Sequence, residues 1–241
     1  MRNRSLAIAA ALALLTPMAA PITAHAQASQ CAMPQRLPAP RPDLPSRDQP
    51  KRVLPIGGYT LAITWSPHVC ASPRHDESLR CSGRNGRFGF TLHGLWPDGQ
   101  GKTWPQYCRP TRLLTPAVIR ANLCATPSVQ LLQHEWAKHG ACMTTRPADY
   151  FAKARALFEA LRYPDMAALG QRRDLRVGDL QRAFARANRG MSADMLRVTT
   201  TRAGWLDEIW LCHDKRLRPA RCPAHQGGAA PTARLRIEPM R

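Results

Sequence analysis

Acidic side chains are scarce in this chain: 16 Asp and Glu stand against 35 Lys and Arg, a formal net charge of +19 at pH 7. That imbalance argues against cationic partners and favours polyanions, with nucleic acid and anionic surfaces as the candidates. Cys-x-x-Cys pairs are absent and the cysteine spacings are scattered, which argues against a zinc site built from thiolates. Gly-x-Ser-x-Gly is missing too, and with it the nucleophile elbow of a serine hydrolase. No internal repeat recurs, so repeat architectures drop out. Beyond the N-terminus no apolar run reaches the ~20 residues a membrane-spanning helix needs, so no stable membrane insertion is expected.

A hydrophobic fraction of 44% and a charged fraction of 21% over 241 residues support one sizeable folded domain rather than wholesale disorder. Arg2 and Arg4 precede an apolar run from Leu6 to Leu15, and Ala24-His25-Ala26 offers a small-residue cleavage site. Residues 1–26 therefore read as a secretory signal, and the product is expected in a periplasm or outside the cell. Removing that segment takes away two basic residues and no acidic ones, so the positive field survives processing. The eight cysteines all follow it, and an even number in an oxidising compartment predicts four disulfides.

Prolines 34, 38, 40, 42, 45 and 50 mark residues 27–55 as an extended arm, a leader or strap without ladders or helices of its own. Tyr59 to Trp65 alternates Tyr59, Leu61, Ile63 and Trp65 with Thr60, Ala62 and Thr64, the pattern of a half-buried strand. Arg87 to His93 reads as a second strand, with Gly94 available for a tight turn. Thr115-Pro116 caps a short helix toward Leu123, and Ser128 caps another that runs to His139 and stops at Gly140. Apolar spacing predicts amphipathic helices over Asp149–Leu161 and Asp179–Ala187, and strands over Met195–Thr199 and Trp205–Cys212. The folded domain should span 56–223, with 224–241 as a basic, flexible tail. Strands and helices mix without regular alternation, which predicts an α+β fold: a mainly antiparallel central sheet packed against several helices and stapled by disulfides.

Two segments carry chemistry, Phe90-Thr91-Leu92-His93-Gly94-Leu95-Trp96-Pro97-Asp98 and His134-Glu135-Trp136-Ala137-Lys138-His139-Gly140-Ala141-Cys142. Helical spacing puts Glu135, Lys138 and His139 on one face, with His134 beside Lys138. A zinc peptidase would need a second histidine four residues after His134. Lys138 stands there instead, and the spacing turns His139 away from His134, so no metal is expected. Two imidazoles with a lysine and a glutamate suit cleavage of RNA without a cofactor. The ribose 2′-hydroxyl is the nucleophile, one histidine takes its proton, another protonates the leaving 5′ oxygen, and lysine stabilises the phosphorane. DNA lacks the 2′-hydroxyl and would bind without being cut.

The two segments resemble the paired active-site segments of the ribonuclease T2 family, secretory and periplasmic endoribonucleases, the bacterial ribonuclease I type among them. The likeness extends to Leu61-Ala62-Ile63-Thr64-Trp65-Ser66-Pro67 and to Glu208-Ile209-Trp210-Leu211-Cys212-His213-Asp214 with Cys222-Pro223, so it covers roughly Tyr59 to Pro223. It implies His93 as general acid, His139 as general base, Glu135 and Lys138 as stabilisers of the transition state and His134 as phosphate holder. Trp96 would stack a base. Asp98 would contact one or else cap the turn after Pro97. Products would be 2′,3′-cyclic phosphates and then 3′-phosphates, often with an acidic optimum. The resemblance also suggests Cys108–Cys142 and Cys212–Cys222. Cys70–Cys81 with Cys31–Cys124 is the preferred pairing of the rest, and Cys81–Cys124 is an alternative. The protein is expected to be a monomer acting on RNA. A catalytically inactive, exported RNA-binding or toxin-like protein on the same scaffold is the alternative, and the intact set of His93, Glu135, Lys138 and His139 argues against it.

Overall fold

The computed structural model describes residues 31–75 and 78–240. The expected signal segment, 1–26, and residues 27–30 of the arm lie outside them. Four strands, β1 (Gly58–Trp65), β2 (Phe90–Asp98), β3 (Leu196–Thr200) and β4 (Leu206–His213), form one antiparallel sheet in the order β2-β1-β4-β3. The helices are α1 (Ser66–Val69), α2 (Pro116–Asn122), α3 (Val129–Glu135), α4 (Ala141–Met143), α5 (Pro147–Ala160), α6 (Met166–Gly170) and α7 (Val177–Ala187). The fold is thus the α+β arrangement of sheet and helices that the patterns predict. Thr115 and Ser128 cap α2 and α3 by accepting from the N–H groups of Val118 and Leu131. No helix among the described residues is long and apolar enough to cross a membrane.

One sheet face carries the core. Leu61, Ile63 and Trp65 of β1 join Leu92 and Leu95 of β2, and against them pack Tyr150, Phe151 and Phe158 of α5 and Leu180 and Phe184 of α7. The opposite face is buried as well: Thr60 and Thr64 are 0% and 6% exposed, so β1 is not the half-buried strand that its alternation suggests. Thr60 donates to Asp98 and Thr64 to Glu208, and these threonines form the floor of a polar site.

Three further expectations fail for physical reasons. The second strand does not end at Gly94 but runs on to Asp98, with His93 as the extra residue of a bulge: Ala62 pairs with Gly94 and the next residue, Ile63, with Leu92. Nor does the helix from Ser128 stop at Gly140. It passes through a π turn, Trp136–Gly140, into α4, and Gly140 is small because a Cβ there would strike Trp136 and Tyr150. The C-terminal stretch is not a loose tail: Leu235 and Ile237 are buried in the core. Its backbone is stitched down as well. Leu235 N–H donates to the Leu175 carbonyl, Leu206 N–H to that of Arg236 and Arg236 N–H to that of Gly204, while Trp65 Nε1 donates to the Glu238 carbonyl.

Four disulfides close Cys31–Cys124, Cys70–Cys81, Cys108–Cys142 and Cys212–Cys222, and no cysteine is free among the described residues. The first ties the arm to the segment after α2. The third ties the loop after β2 to α4.

Candidate active site

The bulge in β2 explains how one strand serves two faces. Leu92 and Leu95 are three residues apart and both lie in the core, which strict alternation forbids. Accommodating both leaves His93 outside the ladder and turns Gly94, Trp96 and Asp98 to the polar face. Across the sheet the same face presents Thr60, Ala62 and Thr64 of β1 with Glu208 and Trp210 of β4, through the pairs Thr64 with Glu208 and Ala62 with Trp210.

Glu135, at the end of α3, reaches down onto this face. It is 1% exposed, its Oε2 accepts from Trp96 Nε1 at 2.9 Å, and Tyr150 Oη lies 3.4 Å from the same oxygen. Gly94 makes that approach possible, because a Cβ at 94 would collide with the Glu135 carboxylate. The other oxygen, Oε1, lies 3.4 Å from His93 Nε2 and has no hydrogen-bond partner, nor has the buried Nδ1 of His139. Two buried polar atoms with hydrogen-bonding capacity to spare, one of them ion-paired with His93, mark the place where a polar ligand would complete the hydrogen bonding.

The π turn inserts one extra residue between Glu135 and Ala141, with Ala141 N–H donating to the Trp136 carbonyl. In a regular helix a spacing of five would carry His139 away from His134. Here the turn brings it back. Their rings sit 6.3 Å apart, and His134, Glu135 and His139 each offer a ligand atom within 4.8 Å of the others. The expectation that the spacing separates the two histidines is therefore wrong, and by spacing alone this trio could hold a cation. The Trp96 ring lies between the two segments, 5.1 Å from that of His93 and 5.6 Å from that of His139. His93 and His139 thus converge on one carboxylate and one indole.

The two imidazoles are biased in opposite directions. Burial opposes charge on His93, but the close approach of Glu135, the hydrogen bond to Glu208 and the attraction of both carboxylates outweigh it and push its pKa up to about 10. For His139 burial dominates, Lys138 and the other histidines add repulsion, Glu135 offsets only part, and the pKa is pushed down to about 3. Burial would raise Glu135, yet His139 and His93 hold its carboxyl below the usual range. Lys138, half-buried in the π turn, is lowered by burial despite the charges of Glu135 and Asp43. At neutral pH the cluster therefore offers a protonated His93 beside an unprotonated His139.

The structure gathers His93, Trp96, His134, Glu135, Lys138 and His139 into this cluster and its mouth. A pocket of about 300 Å³ opens beside them, lined by Trp96, Asp98, Trp104, Lys138, His139 and His225 among others. Asp98 does not cap the turn. Its Oδ2 accepts from Thr60 at 2.8 Å, and Gln226 Nε2 donates to the same threonine at 2.7 Å. Trp104, 43% exposed, presents its ring beneath the Arg52 guanidinium and is the more open aromatic surface. Sequence reasoning missed Trp104 and His225, and it missed Glu208, whose Oε1 accepts from His93 Nδ1 at 2.5 Å and from Thr64 at 2.9 Å. The charged pair Asp207-Glu208 between apolar strand positions was the readable signal for Glu208.

Comparison with known proteins gives a consistent picture. A sequence model of the Ribonuclease T2 family matches residues 56–222. A probable ribonuclease of Haemophilus influenzae is 30% identical over 188 residues, 70% of this chain and 61% of that protein. A ribonuclease of Aeromonas hydrophila is 38% identical over 99 residues, 41% and 43% of the two chains. This chain thus spans less than two thirds of the length of either relative. In solved structures the fold is similar to an RNase-related protein from Calystegia sepium, at 22% identity with a TM-score of 0.59 over 77% of this chain and 98% of that one. It is equally similar to trichomaglin, an S-like ribonuclease, at 20% identity, a TM-score of 0.60 and the same coverage.

Proposed function

The chain belongs to the ribonuclease T2 family, and on that premise we propose that it is an exported, metal-independent endoribonuclease that cuts single-stranded RNA by transphosphorylation. The observation that carries this reading is the convergence of two imidazoles, His93 and His139, on one buried carboxylate and one indole, with His93 biased toward its cation and His139 toward its neutral form. That division suits an acid and a base working in the same step.

In this mechanism neutral His139 accepts the proton of the 2′-hydroxyl as its oxygen attacks phosphorus. The bond from phosphorus to the 5′ oxygen breaks, and His93 delivers its proton to the departing oxygen, leaving a 2′,3′-cyclic phosphate. Hydrolysis then runs the roles in reverse: water gives a proton to His93, and His139 returns its proton to the 2′ oxygen. Lys138 neutralises the developing charge on the phosphorane. Glu135 serves the same transition state by keeping His93 cationic, and His134 holds the phosphate. Trp96, Trp104 and Asp98 border the pocket that would receive a base, stacking it and accepting from its amino group. The substrate supplies the nucleophile, so no cofactor enters. DNA would bind the basic surface uncut, and a single copy holds every group required. Export rests on residues 1–26 and on the complete pairing of the described cysteines.

Digestion of a defined RNA with and without chelator tests the reading. Equal cleavage in both, with 2′,3′-cyclic phosphate ends, is expected, and His93→Ala or His139→Ala should each reduce the rate by about 10³-fold or more. A requirement for divalent metal, or products ending in a 3′-hydroxyl, would overturn it. RNA that is bound but never cut would favour the inactive scaffold.

A further inference from the structure

Residues 31–55 precede the stretch that matches the family, yet they deliver a side chain to the phosphate-holding histidine. Asp43 Oδ2 accepts from His134 Nδ1 at 2.8 Å, and Asp43 Oδ1 accepts from Tyr107 Oη at 2.6 Å. Both carboxylate oxygens are thus committed, one to a side chain of α3 and one to a side chain of the loop after β2.

The contact is built from both sides. Arg41 N–H donates to Gln130 Oε1 at 2.9 Å, and Gln130 Nε2 donates back to the Arg41 carbonyl at 3.2 Å, which clamps the strap on α3 one turn before His134. Farther along, Arg52 and Gln106 exchange backbone hydrogen bonds, and Gln106 Nε2 donates to the Pro50 carbonyl at 2.7 Å. Prolines at 42 and 45 stiffen the span that carries Asp43. The Cys31–Cys124 disulfide anchors its beginning.

Tyr107 gives an independent sign that this contact is held against a conformational cost. Its φ is +48°, a left-handed conformation that is strained for a bulky residue by about 1–3 kcal/mol and that concentrates at functional sites. In that conformation its N–H donates to the carbonyl of Lys138 at 2.8 Å while its hydroxyl reaches Asp43. The next residue, Cys108, is bonded to Cys142 of α4.

We propose that Asp43 is a positioning residue contributed by the strap: it accepts from Nδ1–H of His134, fixes the orientation of the ring, and aims Nε2–H as a donor at the substrate phosphate. A carboxylate on one imidazole nitrogen sets the orientation of the other in the way outer partners orient ligating histidines. Tyr107 holds the carboxylate in place. The inference rests on the proposed reading of the site as a ribonuclease centre, and it assigns the strap a part in phosphate recognition beyond a structural one.

The test compares Asp43→Asn, Asp43→Glu and Gln130→Ala in the full-length protein, using a ribodinucleoside monophosphate as substrate and inorganic phosphate as competitive inhibitor. Asn keeps a single accepting oxygen and no charge, so it cannot serve both His134 Nδ1–H and Tyr107 Oη–H as the carboxylate does. D43N is therefore expected to raise KM and the phosphate inhibition constant by about tenfold, the scale of a lost hydrogen bond to a charged group, with kcat changed less than threefold. D43E should recover part of that loss. Q130A loosens the strap without touching His134 and should lower Tm with KM near the wild-type value. The proposal is overturned if D43N leaves KM and phosphate inhibition unchanged, if it lowers kcat alone, or if Q130A and D43N raise KM alike. Direct calorimetric titration of wild type and D43N with inorganic phosphate keeps the two readings apart. Wild type that cuts no RNA sinks the function, whereas equal phosphate affinity in the two proteins sinks the role of Asp43.

Discussion

Glu208 ties His93 to the sheet. Its Oε1 accepts from His93 Nδ1 and Thr64, and its Oε2 accepts from Trp210 Nε1 at 2.8 Å, so the carboxylate is held by three donors and lies below its usual range even though burial opposes the charge. Two anions, Glu135 and Glu208, share the work of raising His93 to about 10. Replacing Glu208 by Gln keeps the shape and removes one of them, which must lower the His93 pKa. The acid form of His93 is lost as pH rises, so the alkaline limb of kcat/KM should move down by about one unit or more. The acid limb, set by His139, should stay in place. Rates on a dinucleotide from about pH 2.5 to about pH 11 would measure both limbs, and an unmoved alkaline limb would remove Glu208 from the account. Wild type should retain activity down to about pH 4, because His139 is neutral above about 3. The same sign governs stability. A folded-state His139 pKa below the unfolded ~6.5 contributes stability above that value and loses it as pH falls toward 3, so His139→Gln should flatten the acid decline of Tm between those limits.

At the scale of elements, the site depends on two local irregularities, the bulge at His93 and the π turn at Trp136–Gly140. Each adds one residue to a regular ladder and thereby brings onto one face side chains that the regular period would separate. Gly94 is the tightest point between them. Gly94→Ala puts a methyl group into the Glu135 carboxylate, and either the carboxylate or the bulge must move. The expected result is at least a 100-fold loss of kcat/KM with the far-ultraviolet circular dichroism preserved and a stability loss of about 1–3 kcal/mol. Wild-type kinetics from G94A would show that the carboxylate has room it does not need. The sequence patterns made the elements themselves legible, because caps at Thr115 and Ser128 and the alternation of β1 are local signals. The irregularities were less so. The bulge had a readable trace in Leu92 and Leu95, two core residues at an odd spacing. The π turn had no trace that local periodicity could read: Trp136 and Gly140 pack on Tyr150 of α5, and that partner lies outside the window around His134.

At the scale of the whole molecule, two segments outside the central motifs close the structure from opposite ends. The strap brings Asp43 to His134, and the C-terminal stretch brings His225 and Gln226 to the pocket and Leu235 and Ile237 to the core. Composition concealed both, because proline-rich and Gly/Ala/Pro-rich stretches lack the periodicity of strands or helices, and long-range docking then decides their order. Leu235-Arg236-Ile237 did carry a period-two trace, short enough to pass for a tail. Its anchoring makes a sharp expectation. Leu235 is 3% exposed, and cutting a buried leucine back to alanine costs about 2–5 kcal/mol. For a chain of this size each kcal/mol moves Tm by about 2–4 °C, so Leu235→Ala should lower Tm by about 5–15 °C. Cleavage at 25 °C should remain close to wild type, because Leu235 packs in the core on the face of the sheet opposite His93 and Glu135. A freely hanging tail would leave Tm unchanged on the same substitution. Thermal unfolding followed by circular dichroism, with a rate measurement on the same sample, separates a docked C-terminus that supports the sheet from one that merely accompanies it.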